Sequence, residues 1–178
     1  MENIQLTRHI KFMKVRKLCM NVIIETAKLE HYETVNQIVK EGHDEHALAL
    51  PHLFKKVEHV MPRSYFNELL ADPDSDVLVA TLKEEMVGFA VMELKVAPDF
   101  DSMMPRVFAY MNDFGMKESY QKRGFGKELF DACVKWAKQR GASSLDLNVW
   151  EFNQNAISFY SQRGMESVSR KMTLPLRD

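Results

Sequence analysis

From Met116 to Lys127 the chain reads Met-Lys-Glu-Ser-Tyr-Gln-Lys-Arg-Gly-Phe-Gly-Lys, and no other segment constrains it as much. Arg106–Met116 is strand-like, and after the joint Leu129, Cys133, Trp136 and Ala137 recur at helical spacing. A strand therefore passes through a short loop and opens a helix at Gly124-Phe125-Gly126. The first amides of a helix have no internal partner and sit at the positive end of its dipole. Glycine lets a bulky anion approach that backbone, and Lys122 and Arg123 add positive charge beside it. This is a site suited to phosphate or pyrophosphate. A glycine pair before a helix also serves as a tight turn. The joint is neither a P-loop nor a dinucleotide fingerprint, since G-x-x-x-x-G-K-[ST] and the third glycine of G-x-G-x-x-G are both missing.

Elements of both periods surround the joint. Val22–Ile24 reads as a first strand and Leu29–Gly42 as a helix that Gly42 ends. Residues 43–63, with Pro51 and Pro62, read as loop and short helix, and Ser64–Ala71 as a further helix. Asp76–Lys83 and Met86–Val96 form a hairpin around Lys83-Glu84-Glu85, followed by the loop Asp99–Pro105 and the strand Arg106–Met116. A helix to about Arg140 is capped by Gly141. Leu145–Trp150 reads as a strand, Asn153–Gln162 as a helix and Ser167–Leu174 as a last strand. Hairpins come first and β-α-β-α-β after, which predicts an α/β chain of the α+β type: a mixed, mostly antiparallel central sheet flanked by helices.

With 178 residues the chain suits one domain, and 46% hydrophobic with 28% charged residues is an ordinary globular mixture. Lysine plus arginine number 24 and aspartate plus glutamate 25, so no global basic character argues for nucleic acid. Cys19 and Cys133 form neither a disulfide framework nor a C-x-x-C motif. No apolar run approaches the roughly 20 residues of a membrane span, and no secretory signal is visible, so a cytoplasmic protein is expected. Residues 1–19 differ: Arg8, Lys11, Lys14, Arg16 and Lys17 stand against the single acid Glu2. They read as a basic extension to a domain spanning 20–178, with an amphipathic element touching a membrane or acidic partner as the rival reading.

A second feature lies thirty residues past the joint. Asn153-Gln154-Asn155-Ala156-Ile157-Ser158-Phe159-Tyr160 follows a strand, and Arg163-Gly164-Met165 follows the helix. Asn153 is a good N-cap, and Ala156, Phe159 and Tyr160 share one face. Together with the Gln121–Gly126 joint, this order resembles the GNAT family of acetyl-CoA-dependent N-acetyltransferases over about 21–174, most specifically over 106–165. The resemblance implies transfer of an acetyl group from acetyl-CoA to a primary amine by direct attack in a ternary complex, without a metal. It places the family signature on Gln121, Gly124 and Gly126, with the amides of Lys122, Arg123, Gly124, Phe125 and Gly126 on the pyrophosphate. Main-chain groups of Phe114, Gly115 and Met116 would meet the pantetheine arm and acetyl carbonyl, and Asn153 or Asn155 would contact coenzyme A. Tyr160 falls on the usual general acid. Asp113 falls where many relatives carry an acidic residue that removes the amine proton directly or through water, with Glu93 on the neighbouring strand as an alternative.

Met116 stands where the family more often has valine, and Gly115 marks a bulge or a close backbone approach. His43-Asp44-Glu45-His46, with His52 and His59 nearby, lacks H-E-x-x-H spacing. It reads as a surface loop near the acceptor, from which His43, Glu45 and His46 could touch substrate. The resemblance also allows a non-catalytic acetyl-CoA sensor and a homodimer, and it leaves the acceptor amine open.

Overall fold

The computed structural model describes residues 22–176. Five strands pair in chain order: β1 (Ile23–Thr26), β2 (Ser75–Leu82), β3 (Glu85–Val96), β4 (Val107–Met116) and β5 (Leu145–Leu147). The first three pairings are antiparallel and β4–β5 is parallel. The helices are α1 (Tyr32–Ala49), α2 (Arg63–Ala71), α3 (Phe125–Gln139) and α4 (Gln154–Ser161). This is the mixed, mostly antiparallel sheet with flanking helices that the element order predicts.

Alternation along β2 and β3 splits the interior into two layers. Leu78, Ala80, Ala90 and Met92 point to one face, where Leu129, Phe130, Cys133 and Trp136 of α3 cover them. Val77, Val79, Phe89 and Val91 point to the other, against Val35 and Ile38 of α1 and Phe66 of α2. Burial on both faces explains why the two strands are apolar almost throughout. The hairpin between them turns on Lys83 and Glu84, both at positive φ (49° and 72°). This is the handedness that a two-residue connection requires.

Three expectations need correction. Gly42 does not end α1, which runs on to Ala49 and so turns the expected loop from His43 into two further helical turns. A glycine inside a helix costs only about 1 kcal/mol relative to alanine. The stop comes at Leu50, which precedes Pro51 and has left the helical region (φ −130°, ψ 62°). The strand expected over Leu145–Trp150 is three residues long, because β4 supplies hydrogen-bond partners only from Ala109 to Met111. Ser167–Leu174 forms no strand: Val168, Met172 and Leu174 have the alternation but stand exposed, with no neighbouring strand among the described residues. The basic segment 1–19 lies outside the described residues. Among the described residues no helix is long and apolar enough to cross a membrane.

Candidate active site

The site begins with one extra residue in β4. Val91 of β3 pairs with Asp113 and Met92 with Met111, which leaves Asn112 unmatched. Before this bulge Ala109 and Met111 face the α3 layer; after it Phe114 and Met116 do. Without it, side-chain alternation would send Asp113 into that apolar layer. With it, Asp113 and Gly115 turn toward α1. A Cβ built on Gly115 would lie 2.8 Å from Phe89 Cε1 and 3.0 Å from Ile38 Cγ2, so the strand passes α1 at glycine distance.

The same bulge parts β4 from β5. Their parallel pairing stops at Met111, and from Asn112 to Met116 the β5-facing edge of β4 has no strand neighbour among the described residues. A wedge therefore opens between the two strands. Its far end meets the joint before α3, where Lys122 (φ 58°) and Gly124 (φ 98°) are both left-handed. Among the described residues, no amide from Lys122 to Gly126 donates to a backbone carbonyl; the first to do so is Lys127, to Gly124 at 3.0 Å. Nothing lies within 4 Å of a Cβ built on Gly124. Successive amides in alternating hand at a helix N-terminus form an anion-binding concavity.

Side chains brace the joint from behind. Gln121 Nε2 donates to the Met116 carbonyl at 3.2 Å. Tyr120 Oη donates to Glu85 Oε2 at 2.6 Å and Lys117 Nζ to Glu85 Oε1 at 2.9 Å. The Arg123 guanidinium lies 5.3 Å above the Tyr120 ring. Lys122 and Arg123 are exposed, whereas the Phe125 ring is buried, so Phe125 offers the joint only its amide.

Asp113 sits on the floor of a cleft of about 290 Å³. Its Oδ1 accepts the Phe114 amide at 3.0 Å, yet burial outweighs that bond and raises the carboxyl to about 6. Glu93 differs. Burial pushes it up, but hydrogen bonds from Asn112 (2.9 Å) and Lys95 (3.0 Å) and the Lys95 charge outweigh this and hold it below the usual range. Of the two candidate bases, only Asp113 titrates near neutrality.

Asn153 caps α4, its Oδ1 accepting the Ala156 amide at 3.0 Å, and it lines the cleft. Asn155 is exposed on the first turn of α4 and is not a lining residue. Tyr160 does not line it either. Its ring packs 6.3 Å from Phe114, 6.1 Å from Phe130 and 5.3 Å from Phe159. Burial first, then the charges of Asp113 and Cys133, push its hydroxyl above the ordinary phenol value. The Cys133 thiol, buried in the same layer, is pushed up to about 12 and is no nucleophile.

The wall opposite β4 is the second half of α1, including Glu41, His43, Glu45 and His46. The continuation of the helix past Gly42 is what puts the last three there. Sequence reasoning missed Glu41, whose Oε2 accepts the Glu118 amide at 3.1 Å, and the rings of Phe54 and Trp150, 5.4 Å apart edge to face, which pack at a tilt behind His46 without lining the cleft. The i, i+4 spacing of Glu41 and Glu45 was the signal available for the first.

A family model described as the acetyltransferase (GNAT) family matches residues 43–165. The L-ornithine N5-acetyltransferase NATA1 of Arabidopsis thaliana is 31% identical over 99 residues, 54% of this chain and 42% of the relative. The chain thus spans less than half of that relative's length. The uncharacterized N-acetyltransferase MJ1207 of Methanocaldococcus jannaschii is 23% identical over 156 residues, 83% of this chain and 67% of the relative. Among solved structures, a mutant of the BH1408 protein from Bacillus halodurans superposes with a TM-score of 0.85 at 28% identity, covering 87% of this chain and 99% of that one.

Proposed function

The chain belongs to the acetyltransferase (GNAT) family, and we propose that it transfers an acetyl group from acetyl-CoA to a primary amine by direct attack in a ternary complex. One observation carries this reading: the wedge runs from five unpartnered amides at the α3 joint to a buried carboxyl of raised pKa. A donor with a diphosphate at one end and a thioester at the other fits that distribution of groups.

The amides of Lys122–Gly126 take the pyrophosphate, helped by the helix dipole and the charges of Lys122 and Arg123. The free edge of β4 over Phe114–Met116 offers main-chain groups to the pantetheine amides and, through an N–H, to the oxyanion of the reacting carbonyl. Asn153 contributes its Nδ2, since its Oδ1 is already engaged in the cap. Asn155 approaches the donor from outside the cleft.

An alkylammonium, with a pKa near ~10.4, must lose a proton before it attacks. Asp113 takes that proton; a carboxyl poised near neutrality is better matched to this than one of ordinary pKa. The amine nitrogen bonds to the acetyl carbon to give a tetrahedral oxyanion. As this collapses the carbon–sulfur bond breaks, the leaving sulfur takes a proton from Tyr160, and the second amine proton, lost as the amide forms, returns through solvent to the Tyr160 oxygen. Burial keeps that hydroxyl protonated at any working pH. Holding both substrates in one wedge supplies much of the acceleration.

Isothermal titration with acetyl-CoA of the wild type and Gly124→Glu tests the reading. The substitution adds a negative side chain where the pyrophosphate sits and a Cβ at φ +98°. We expect micromolar binding by the wild type and none by the variant, whose fold is checked by circular dichroism. A folded wild type that does not bind acetyl-CoA would overturn the proposal. Binding without thiol release toward any amine would leave a sensor instead of an enzyme.

A further inference from the structure

Charge in the cleft is one-sided. Glu41 and Glu45 line it from one face of α1, Glu118 lines it from the turn after β4, and Asp113 forms the floor. No lysine or arginine is among the lining residues. Like charges four residues apart on a helix repel, a cost of about 0.2–0.5 kcal/mol that a bound cation would relieve. Glu41 is also fixed, because it holds the Glu118 amide at 3.1 Å and ties α1 to the segment beyond β4. Asp113 has one oxygen on the Phe114 amide and, among the described residues, no protein partner for the other.

The His46 ring lines the cleft beside these carboxylates and is backed by three further rings that do not line it. The His46 ring lies 5.3 Å from Phe152, 5.7 Å from Phe54 and 6.4 Å from Trp150. Burial, then the neighbouring His43, lowers the His46 pKa, so the ring adds no positive charge at neutral pH. Carboxylates that attract an ammonium, next to a neutral ring held in place by its aromatic neighbours that accepts methylene groups, describe a particular ligand.

We infer that the acceptor is an aliphatic diamine. Its distal ammonium sits by Glu41, Glu45 and Glu118, its methylene stem lies along the His46 ring, and its near amine faces Asp113. The inference rests on the acetyl-transfer reading above and names the substrate class for it. It also separates this chain from NATA1, which is named for acetylating L-ornithine. Ornithine carries a carboxylate, and here that group would enter a cleft lined by three glutamates and no lysine or arginine.

The test compares kcat/KM at saturating acetyl-CoA for 1,4-diaminobutane, butylamine and ornithine, with wild type and Glu45→Gln. Glu45 is exposed and the substitution keeps its shape, so folding is retained; circular dichroism confirms it. The diamine is expected to exceed butylamine and ornithine at least tenfold. Glu45→Gln is expected to lower the diamine-to-butylamine ratio at least threefold, chiefly through KM. Equal rates for diamine and monoamine, preference for ornithine, or an unchanged ratio in the variant would each overturn the inference while leaving acetyl transfer intact. Acetyl-CoA binding with no transfer to any of the three amines overturns it as well. Failure of the wild type to bind acetyl-CoA in the parallel titration defeats the acetyl-transfer reading and takes the inference with it.

Discussion

Ionising Asp113 at the foot of the wedge works against folding. Its folded value of about 6 lies above the roughly 4 of an unfolded aspartate, so the native state holds the proton more tightly. The penalty is absent below pH ~4, grows from there to pH ~6 and is constant above, at roughly 1–3 kcal/mol. Asp113→Asn should therefore melt several degrees higher than wild type at pH 7.5 and close to it at pH 4. The same substitution should cost 10²–10⁴-fold in activity if Asp113 is the base. The wild-type kcat/KM profile for the acceptor should carry an acid limb near pH 6, and the variant's residual rate should lack it. A limb that survives in Asp113→Asn would assign the proton to another group. Tyr160→Phe separates chemistry from packing in the opposite way. The hydroxyl hydrogen-bonds no protein group among the described residues, and a phenylalanine fits among Phe114, Phe130 and Phe159. Stability should change by less than about 1 kcal/mol while kcat falls at least tenfold. Equal kcat in the two proteins would remove Tyr160 from the mechanism.

At the scale of elements, the loop that would hold pyrophosphate is positioned by a residue far along the chain. Glu85 opens β3, yet its two oxygens hold Tyr120 and Lys117, and Tyr120 in turn supports Arg123. Glu85→Ala should raise the acetyl-CoA dissociation constant about three- to tenfold by freeing the turn, with a smaller change in kcat. A fall in kcat with the dissociation constant unchanged would contradict this role. The glycines, the basic pair and the following helical period made the joint itself legible in sequence, since each is a local requirement of a helix start. Gly115 pointed to a bulge or a close approach in this strand, but the bulge at Asn112 itself was not legible. Val107–Met116 alternates well enough to pass as an ordinary strand, and the unmatched Asn112 becomes visible only once β3 supplies a register. Likewise Gly42 reads as a stop in isolation, whereas the helix ends where Pro51 forces Leu50 out of helical geometry. Both misses placed site residues wrongly: one hid why Asp113 faces α1, the other put His43, Glu45 and His46 on a loop.

For the whole molecule, alternation in a strand is informative only where another edge can receive it. The two central strands are buried by helices on both faces, and their apolar pattern is realised in full. Val168, Met172, Leu174 and Leu176 alternate in the same way but remain 94%, 86%, 81% and 90% exposed. At roughly 25 cal/mol per Å² of buried apolar surface, side chains so open to water contribute almost nothing to stability. The one ion pair of this stretch among the described residues, Arg170 with Glu151 at 3.2 Å, joins two side chains that are both more than 70% exposed and adds little. Truncation after Glu166 should therefore leave the folding free energy within about 0.5 kcal/mol of the full chain, since no core residue in either layer loses a neighbour. Thermal melts of the two proteins at one concentration measure this. A drop of several degrees would show that the last residues are buried in solution, against the open edge of β5 or a second copy. Dilution separates the two, because only contact between copies makes the melting temperature depend on concentration.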